Sequence, residues 1–221
     1  MTCNEMLQEF NLAYNNISSN QAPGLLVYEI SRYLTMAQEI IVHQLYSRYE
    51  QDELARKQLS ELVTAIRITD PVAVPSSYKI HGASVTYQLP DDIMYIVHEE
   101  LKMKSSANKC IKDKFIEVLP VTHDDFNSVY KNPYKFTLKR ALRLDISYNN
   151  IKCSEIVSKD NHIEYYQLRY IRRPRPIILD NLGFGDTING QNTQSSCELN
   201  DLLSREIVNL GAKLAYQDFK A

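Results

Sequence analysis

The stretch "YYQLRYIRRPRPIILDNL", residues 165–182, holds the features that decide how the chain folds. Apolar and polar residues alternate over its first half, and a period of two predicts a β-strand. The Pro-x-Pro that follows predicts that the strand ends there or lies at a sheet edge, because proline has no N–H to donate to a neighbouring strand. Four arginines crowd this point, and they could bind nucleic acid, bind protein or face solvent. They are Arg169, Arg172, Arg173 and Arg175.

The residues before this strand predict helices first and strands afterwards. Apolar residues at helical spacing predict three helices, with Pro23 in the first turn of the second and the third running from about Gln51 past Ile66. The period then changes at the proline-rich residues 69–77. The predicted later elements are a hairpin around His81-Gly82, strands at 91–103 and 115–121, a short helix opened by Thr122 and Asp125, a hairpin around Asn149-Asn150, the strand 162–173, and a last helix capped by Asn200 or Asp201.

This order predicts an α+β fold with an N-terminal helical bundle, a strand-rich antiparallel middle that contains a short helix, and a C-terminal helix. We expect residues 1–221 to form a single domain. The polar segments 104–114 and 183–198 are expected to add little to the core and to become ordered on contact with a partner. The predicted parts are a helical part at 1–70, a β-rich part at 71–182, a loop at 183–198 and the C-terminal helix at 199–221.

Charge is distributed unevenly although the net charge is only −2. Residues 102–175 carry 16 basic and 8 acidic side chains, a net charge of +8. The segments 1–70, 71–101 and 176–221 have net charges of −4, −3 and −3. The whole chain therefore lacks the positive excess of a general nucleic-acid binder. A basic middle between acidic ends suits stacking or ring closure as much as it suits binding of a polyanion.

The composition is that of an ordinary globular protein in cytosol-like conditions. No apolar run approaches 18 residues, and the first ten residues contain acids where a signal peptide has basic and apolar residues. We therefore expect neither a membrane span nor a leader. The cysteines lie far apart with no C-x-x-C pair, so we expect free thiols at Cys3, Cys110, Cys153 and Cys197.

No set of residues in the sequence has the pattern of a catalytic or cofactor site. His123 and Asp125 could ligate a divalent metal, but a helix cap with Thr122 explains Asp125 equally well. His98 and its two glutamates lack the second histidine of a zinc-protease helix, and we expect them at a solvated strand end. The glycines of residues 183–190 have the wrong spacing for phosphate binding. We expect no enzyme activity, no cofactor and no metal.

Tyrosine is the abundant aromatic residue, with 15 copies against six phenylalanines and no tryptophan. Its apolar ring and polar hydroxyl suit protein interfaces. In the strand around residue 168, tyrosines interleave with the arginines, which could also make a platform for stacked bases. A protein interface, a base-reading surface and a solvated edge strand all remain open from these residues alone. The tyrosines concerned are Tyr165, Tyr166 and Tyr170.

Four segments resemble the head–tail connector proteins of tailed bacteriophages (also called adaptors or neck-ring proteins), and most closely the ring proteins of crAss-like phages. "YLTMAQEIIVHQLY", residues 33–46, is similar to a long second helix, and "YEQDELARKQLSELV", residues 49–63, to the helix after it. "YQLPDDIMYIVHEEL", residues 87–101, resembles the entry to a strand. The strand at 165–179 and the segment "CELNDLLSREIVNLGAKLA", residues 197–215, resemble the closing strand and helix, although Gly211 and Lys213 depart from a smoother apolar helix.

The resemblance implies a structural virion protein of the neck and tail that is present in host cytoplasm during assembly. Such proteins form a ring of twelve copies below the portal, extend the DNA channel used in ejection, and dock a second ring or a tail protein. DNA would pass without sequence-specific binding. We therefore expect the arginines, with Tyr166 and Tyr170, to contact protein, and Glu50, Asp52 and Glu53 of a neighbouring copy to be their acidic partners. The alternative is a nucleic-acid-binding module that uses the strand 165–175.

Overall fold

The computed structural model of the chain describes residues 1–18, 23–81, 83–104, 114–183 and 185–220. It contains helices at both ends and a seven-stranded sheet in the middle, which confirms the α+β prediction. The helices are α1 (Cys3–Ser18), α2 (Val27–Tyr46), α3 (Glu53–Leu59), α4 (Phe126–Lys131) and α5 (Asp201–Lys220). The strands are β1 (Val63–Ile68), β2 (Val85–Gln88), β3 (Ile93–Met103), β4 (Phe115–Pro120), β5 (Arg140–Tyr148), β6 (Ile151–Val157) and β7 (Ile163–Arg172).

The chain divides into two compact units. The helical unit consists of Met1–Leu62 and Arg173–Ala221, and the sheet unit consists of Val63–Arg172. The boundary at Arg172 falls inside the arginine-rich stretch, so the four arginines are divided between the two units. The prediction of a single domain over residues 1–221 stays a prediction.

The strand β7 lies inside the sheet and not at its edge. The strand order is β1-β7-β3-β4-β5-β6-β2, and β7 pairs antiparallel with both β1 and β3. The interpretation of residues 163–172 as a solvated edge strand is therefore wrong. The other prediction, that the strand ends at the prolines, is confirmed, since β7 ends at Arg172, directly before Arg173 and Pro174. One neighbour pair departs from the antiparallel prediction: β4 and β5 run parallel, and α4 lies between them in the sequence.

The sheet curls around its main apolar core. The rings of Tyr87 on β2 and Tyr166 on β7 lie 5.5 Å apart, although these strands are near opposite ends of the strand order. Side chains from six strands fill this core, among them Leu101, Ile116 and Leu168. A smaller cluster on the opposite face of β5 and β6 contains the buried rings of α4 and the loop after it. One face of the sheet is therefore enclosed by its own curvature.

In the helical unit, α5 packs against α1 and α2, and an extended segment runs along α2. Residues 174 and 176–179 are buried, and their backbone bonds to hydroxyls on one face of α2. Ile177 N–H donates to Thr35 Oγ1 at 3.1 Å, and Leu179 N–H donates to Ser31 Oγ at 3.1 Å. These hydroxyls replace the strand partner that an extended segment would otherwise need. The stretch after β7 thus belongs to the core of the helical unit.

Three predicted boundaries are wrong. The third helix ends at Leu59 and, after one turn of 3-10 helix, Val63–Ile68 form β1, because pairing with β7 outweighs the helical spacing of these residues. Pro23 precedes α2 by four residues. Residues 76–78 form a 3-10 turn and not the first strand of the predicted hairpin. Gly82, at the predicted turn, lies outside the described residues.

Predictions that rested on local turn and cap chemistry are confirmed. Asn149 and Asn150 both have positive φ, 51° and 63°, and join β5 to β6 as an antiparallel hairpin. Asn200 Oδ1 accepts a bond from Leu203 N–H at 3.0 Å and caps α5. Thr122 and Asp125 bond to each other as predicted, but α4 begins one residue after Asp125 and not directly after Thr122.

The loop at 183–198 is tied into the helical unit. Ile188 is buried, and Ile178 pairs with Ser195 through two backbone hydrogen bonds. Gln194 donates to the Leu179 carbonyl at 2.9 Å. The expectation that this segment adds little core and needs a partner to become ordered is therefore wrong for its described part. Most of the segment 104–114 lies outside the described residues.

Cysteine and membrane predictions can be compared with the described residues only. Cys3, Cys153 and Cys197 are free thiols there, as predicted, and Cys110 falls outside them. Of the helices in that part of the chain, none has both the length and the hydropathy that crossing a bilayer requires.

Gly211 is buried on the face of α5 that packs against α1 and α2. A Cβ at this position would lie 3.4 Å from Leu34 Cδ2, 3.4 Å from the Tyr33 carbonyl oxygen and 3.5 Å from Phe10 Cε2. These are ordinary contact distances for a methyl group and leave no room for a longer side chain.

We therefore expect Gly211→Ala to raise the free energy of unfolding by up to about 1 kcal/mol, since alanine favours the helix and still fits. Gly211→Leu should lower it by about 1–3 kcal/mol through overpacking. Chemical denaturation measures both. A loss of more than about 1 kcal/mol in the alanine variant would show that the helices cannot accept even a methyl group.

Candidate interaction surface

The structure separates the four arginines into different surroundings. Arg169 is exposed on β7, and Arg172 is partly buried at the strand end. Arg173 Nε lies 4.0 Å from Glu39 Oε1, and Arg175 Nε lies 3.5 Å from Glu198 Oε1, both within the helical unit. The predicted cluster is therefore divided between the two units, and its role as an interface stays a prediction. Arg173 and Arg175 keep exposed fractions of 53% and 68%, so they can still reach a partner.

Tyr166 and Tyr170 are not surface residues. Tyr166 is fully buried, and its hydroxyl donates to Glu99 Oε2 at 2.6 Å; Tyr170 is 4% exposed, and its hydroxyl donates to Asp92 Oδ1 at 3.1 Å. Burial and the nearby carboxylates raise the pKa of Tyr170 to about 12 and that of Tyr166 further above its usual value. The prediction that these two tyrosines contact a partner is therefore wrong, because alternation along β7 turns both into the core.

A buried ion pair links β3 and β5. Arg143 Nε lies 3.1 Å from Glu99 Oε1 as a close ion pair, and Arg143 also donates to Asp145 at 2.6 Å. Burial raises the pKa of Glu99, and the opposing effects of Arg143 and the Tyr166 hydroxyl are smaller. The expectation of a solvated strand end was therefore wrong for Glu99. Alternation with the buried Leu101 and Met103 was the signal that could have placed Glu99 inward.

The outward face of the sheet carries the exposed charges. Residues that pair directly across neighbouring strands share a face, and Gln167 pairs with both Arg67 on β1 and Glu100 on β3. The same relation adds Arg169 and Lys102 to this face. Glu117 on β4 and Arg140 on β5 extend the outward face, and Arg140 Nε donates to Glu117 Oε2 at 3.0 Å.

Two cations and two aromatic rings alternate across four neighbouring strands of this face, in the order Arg67 on β1, Tyr165 on β7, Lys102 on β3 and Phe115 on β4. The Arg67 guanidinium lies 5.1 Å from the centre of the Tyr165 ring, and Lys102 Nζ lies 4.8 Å from that of Phe115. The two rings meet edge to face with centres 6.4 Å apart. We call Arg67, Tyr165, Phe115 and Lys102 the cation–aromatic row. Such contacts restrict where the cations lie, and Arg67 Nε also donates to Gln167 Oε1 at 3.0 Å on the same face.

The predicted acidic partners lie together at the start of α3. Glu50 and Glu53 are exposed, whereas Asp52 is the N-cap residue and its Oδ1 accepts the Leu54 N–H at 2.8 Å. Leu54 is 60% exposed beside them. We call residues 50–54 the acidic turn. Glu50 and Glu53 can therefore contact a partner, whereas Asp52 caps α3.

The residues considered for a metal have other contacts. His123 Nε2 lies 3.1 Å from the Asp145 carbonyl oxygen, and Asp125 bonds to Thr122. Within the described part of the chain, no three histidine, cysteine or carboxylate side chains are grouped as metal ligands.

The buried pair predicts a large cost for removing one partner. Arg143→Met should lower the free energy of unfolding by about 3–5 kcal/mol, because it leaves the Glu99 carboxylate buried without its counter-charge. Arg143→Met with Glu99→Gln should cost clearly less. The matched control is Arg140→Met on the same strand, whose exposed pair with Glu117 should cost at most about 1 kcal/mol. Denaturant titration decides, and a single variant no worse than the double one would refute the pairing.

Comparison with known proteins covers nearly the whole chain. The sequence profile of the phage tail ring protein 3/4 family matches residues 1–219. The chain is 36% identical to ring protein 4/5 of Bacteroides phage crAss001, over 98% of the chain and 94% of that protein. It is 33% identical to ring protein 3 of the same phage, over 97% of the chain and 95% of that protein.

These matches extend through both units, from the first helix to the last. The resemblance to crAss-like phage ring proteins is thereby confirmed. The family is structural and is not a family of enzymes. The chain belongs to the phage tail ring protein 3/4 family, the ring proteins of crAss-like phages.

Proposed function

We propose that this chain forms a ring of twelve copies in the neck of the virion, between the portal and the tail. The ring extends the DNA channel, lets the genome pass during ejection without reading its sequence, and docks a second ring or a tail protein. The family match over residues 1–219 carries this proposal, since both units then take part in the same assembly. Before assembly, the chain is present in the host cytoplasm.

The charge division between the units supports contacts in a closed ring. The helical unit has 9 Lys and Arg against 14 Asp and Glu, a net charge of −5, and the sheet unit has 16 against 13, a net charge of +3. In a ring, every copy uses two different patches, one for each neighbour. Patches of opposite charge favour head-to-tail order and disfavour contacts between like patches.

The surroundings of the arginines favour protein over nucleic acid as their partner. Base stacking along β7 would need open aromatic faces, but the rings of Tyr166 and Tyr170 are buried and that of Tyr165 is covered by Arg67. Arg172 is the last residue of the strand, and Arg173 and Arg175, which follow it, are already oriented by carboxylates. We propose that these three contact another ring or tail component.

We expect the purified chain to be monomeric or weakly associated, and to form a twelve-copy ring when it is mixed with its portal and neighbouring ring proteins. Native mass spectrometry of the chain alone and of the mixture measures the copy number, and an image of the virion neck places the ring. A stable ring without the portal would contradict the requirement for a template. An absence of rings in both the mixture and the virion neck would refute the function.

The arginines supply a separate prediction. Changing Arg172, Arg173 and Arg175 to Ser should leave the free energy of unfolding within about 1–2 kcal/mol of the wild type, because exposed ion pairs contribute about 0–1 kcal/mol each. It should reduce incorporation into rings strongly, because interface arginines can each contribute about 2 kcal/mol or more. The matched control changes three exposed cations of the helical unit, Lys57, Arg205 and Lys213, to Ser and should assemble normally.

DNA affinity at two salt concentrations separates the alternatives in the same set of variants. Tight, salt-dependent DNA binding by the wild type that is lost in the triple variant, together with normal assembly of that variant, would make the arginines a nucleic-acid surface.

A further inference from the structure

The cation–aromatic row has a composition that an ordinary solvated sheet face does not need. Phe115 is 50% exposed, so apolar surface remains open beside Lys102. Single exposed apolar residues are common, but aromatic rings that alternate with cations offer apolar contact and charge recognition at one place. Aromatic residues and arginine are enriched at protein interfaces.

The acidic turn has the opposite composition. Leu54 projects with 60% of its surface exposed, and Glu50 and Glu53 are exposed near it. An exposed leucine with acids near it thus complements an exposed aromatic ring with cations near it. We propose that the acidic turn of one copy docks on the cation–aromatic row of the next copy. This inference rests on the proposed ring function and names the contact between neighbours in that ring.

This assignment changes the basic partner of the acidic turn. The sequence predicts Arg169, Arg172, Arg173 and Arg175 as that partner, but Arg173 and Arg175 lie next to Glu39 and Glu198 of their own unit. Arg169 belongs to the outward face with the row, since it pairs across the sheet with Ala65 and His98. The basic side of the contact therefore consists of Arg67, Lys102 and Arg169.

Nucleic acid fits the same face less well. The Tyr165 ring already has Arg67 over it and the Phe115 ring against it, which leaves little open face for a base. Glu100 and Glu117 pair directly across β3 and β4 on this face, and they would repel a continuous phosphate backbone. Glu50 and Glu53 bring only two negative charges to this face, whereas a phosphate backbone crossing it would bring one at every nucleotide.

Two reversed variants test the contact without breaking either unit. Arg67→Glu with Lys102→Glu reverses the row, and Glu50→Lys with Glu53→Lys reverses the acidic turn. Asp52 is kept because it caps α3. The control is Lys131→Glu with Lys135→Glu, two exposed cations of the sheet unit outside the outward face. Circular dichroism and melting show that each variant is folded before its assembly with the portal and neighbouring ring proteins is measured.

We expect each reversed variant alone to lose at least about tenfold in assembled fraction, because every neighbour contact then opposes like charges. A 1:1 mixture of the two should recover assembly, as an alternating ring in which every contact joins opposite charges again. A contact within one chain could not be restored by mixing. The control variant should assemble like the wild type.

The outcomes separate this inference from the ring function. If the wild type assembles and the reversed variants also assemble, or if their mixture does not recover, the contact is refuted and the ring function stands. If the wild type does not assemble under any of these conditions, both are refuted. If the wild type binds DNA at physiological salt and only reversal of the row abolishes that binding, the row is a nucleic-acid surface and the proposed contact is wrong.

Discussion

The position of β7 between β1 and β3 is the constraint on which the surface chemistry of the sheet unit depends. A strand paired on both sides is held in register by two neighbours, and its residues from Tyr165 to Tyr170 alternate between the outward face and the core. Tyr166 and Tyr170 must therefore be inside, and Arg169 must be outside with Tyr165. A shift by one residue would bury the arginine and expose the tyrosines. Residues on the neighbouring strands lie on the same face as the β7 residues with which they pair directly.

The predictable parts of the fold are those decided within a few residues. The hairpin at Asn149-Asn150 follows from turn chemistry, and the start of α5 after Asn200 follows from cap chemistry. The strand β1 was missed because residues 63–66 fit a helical stripe, and only their pairing with residues distant in sequence makes them a strand. For the site, the exposure of the acidic turn was visible locally. The cation–aromatic row was not, because Arg67 and Tyr165 are 98 positions apart and meet only through sheet pairing.

Buried polar groups give both units a defined arrangement. In the sheet unit, Arg143 pairs with Glu99, and in the helical unit, hydroxyls of Ser31 and Thr35 bond the extended segment after β7. A buried group of this kind is costly unless its partner is in place, so it disfavours alternative packings more than it adds net stability. A ring subunit benefits from such specificity because an error in the angle of one copy is repeated around the ring.

The two components of the proposed contact contribute differently to assembly. Exposed charges are screened beyond about 8 Å at physiological salt, so they direct orientation and add little affinity to a single pair. The apolar contact of Leu54 with Phe115 would add affinity, but its area is small. A contact of this strength leaves isolated copies mostly apart. In a closed ring on a template, each copy is held by several contacts at once, and effective concentration converts weak pairwise binding into a stable assembly. Under this proposal, weak association in solution and a stable ring in the virion are consequences of the same surface.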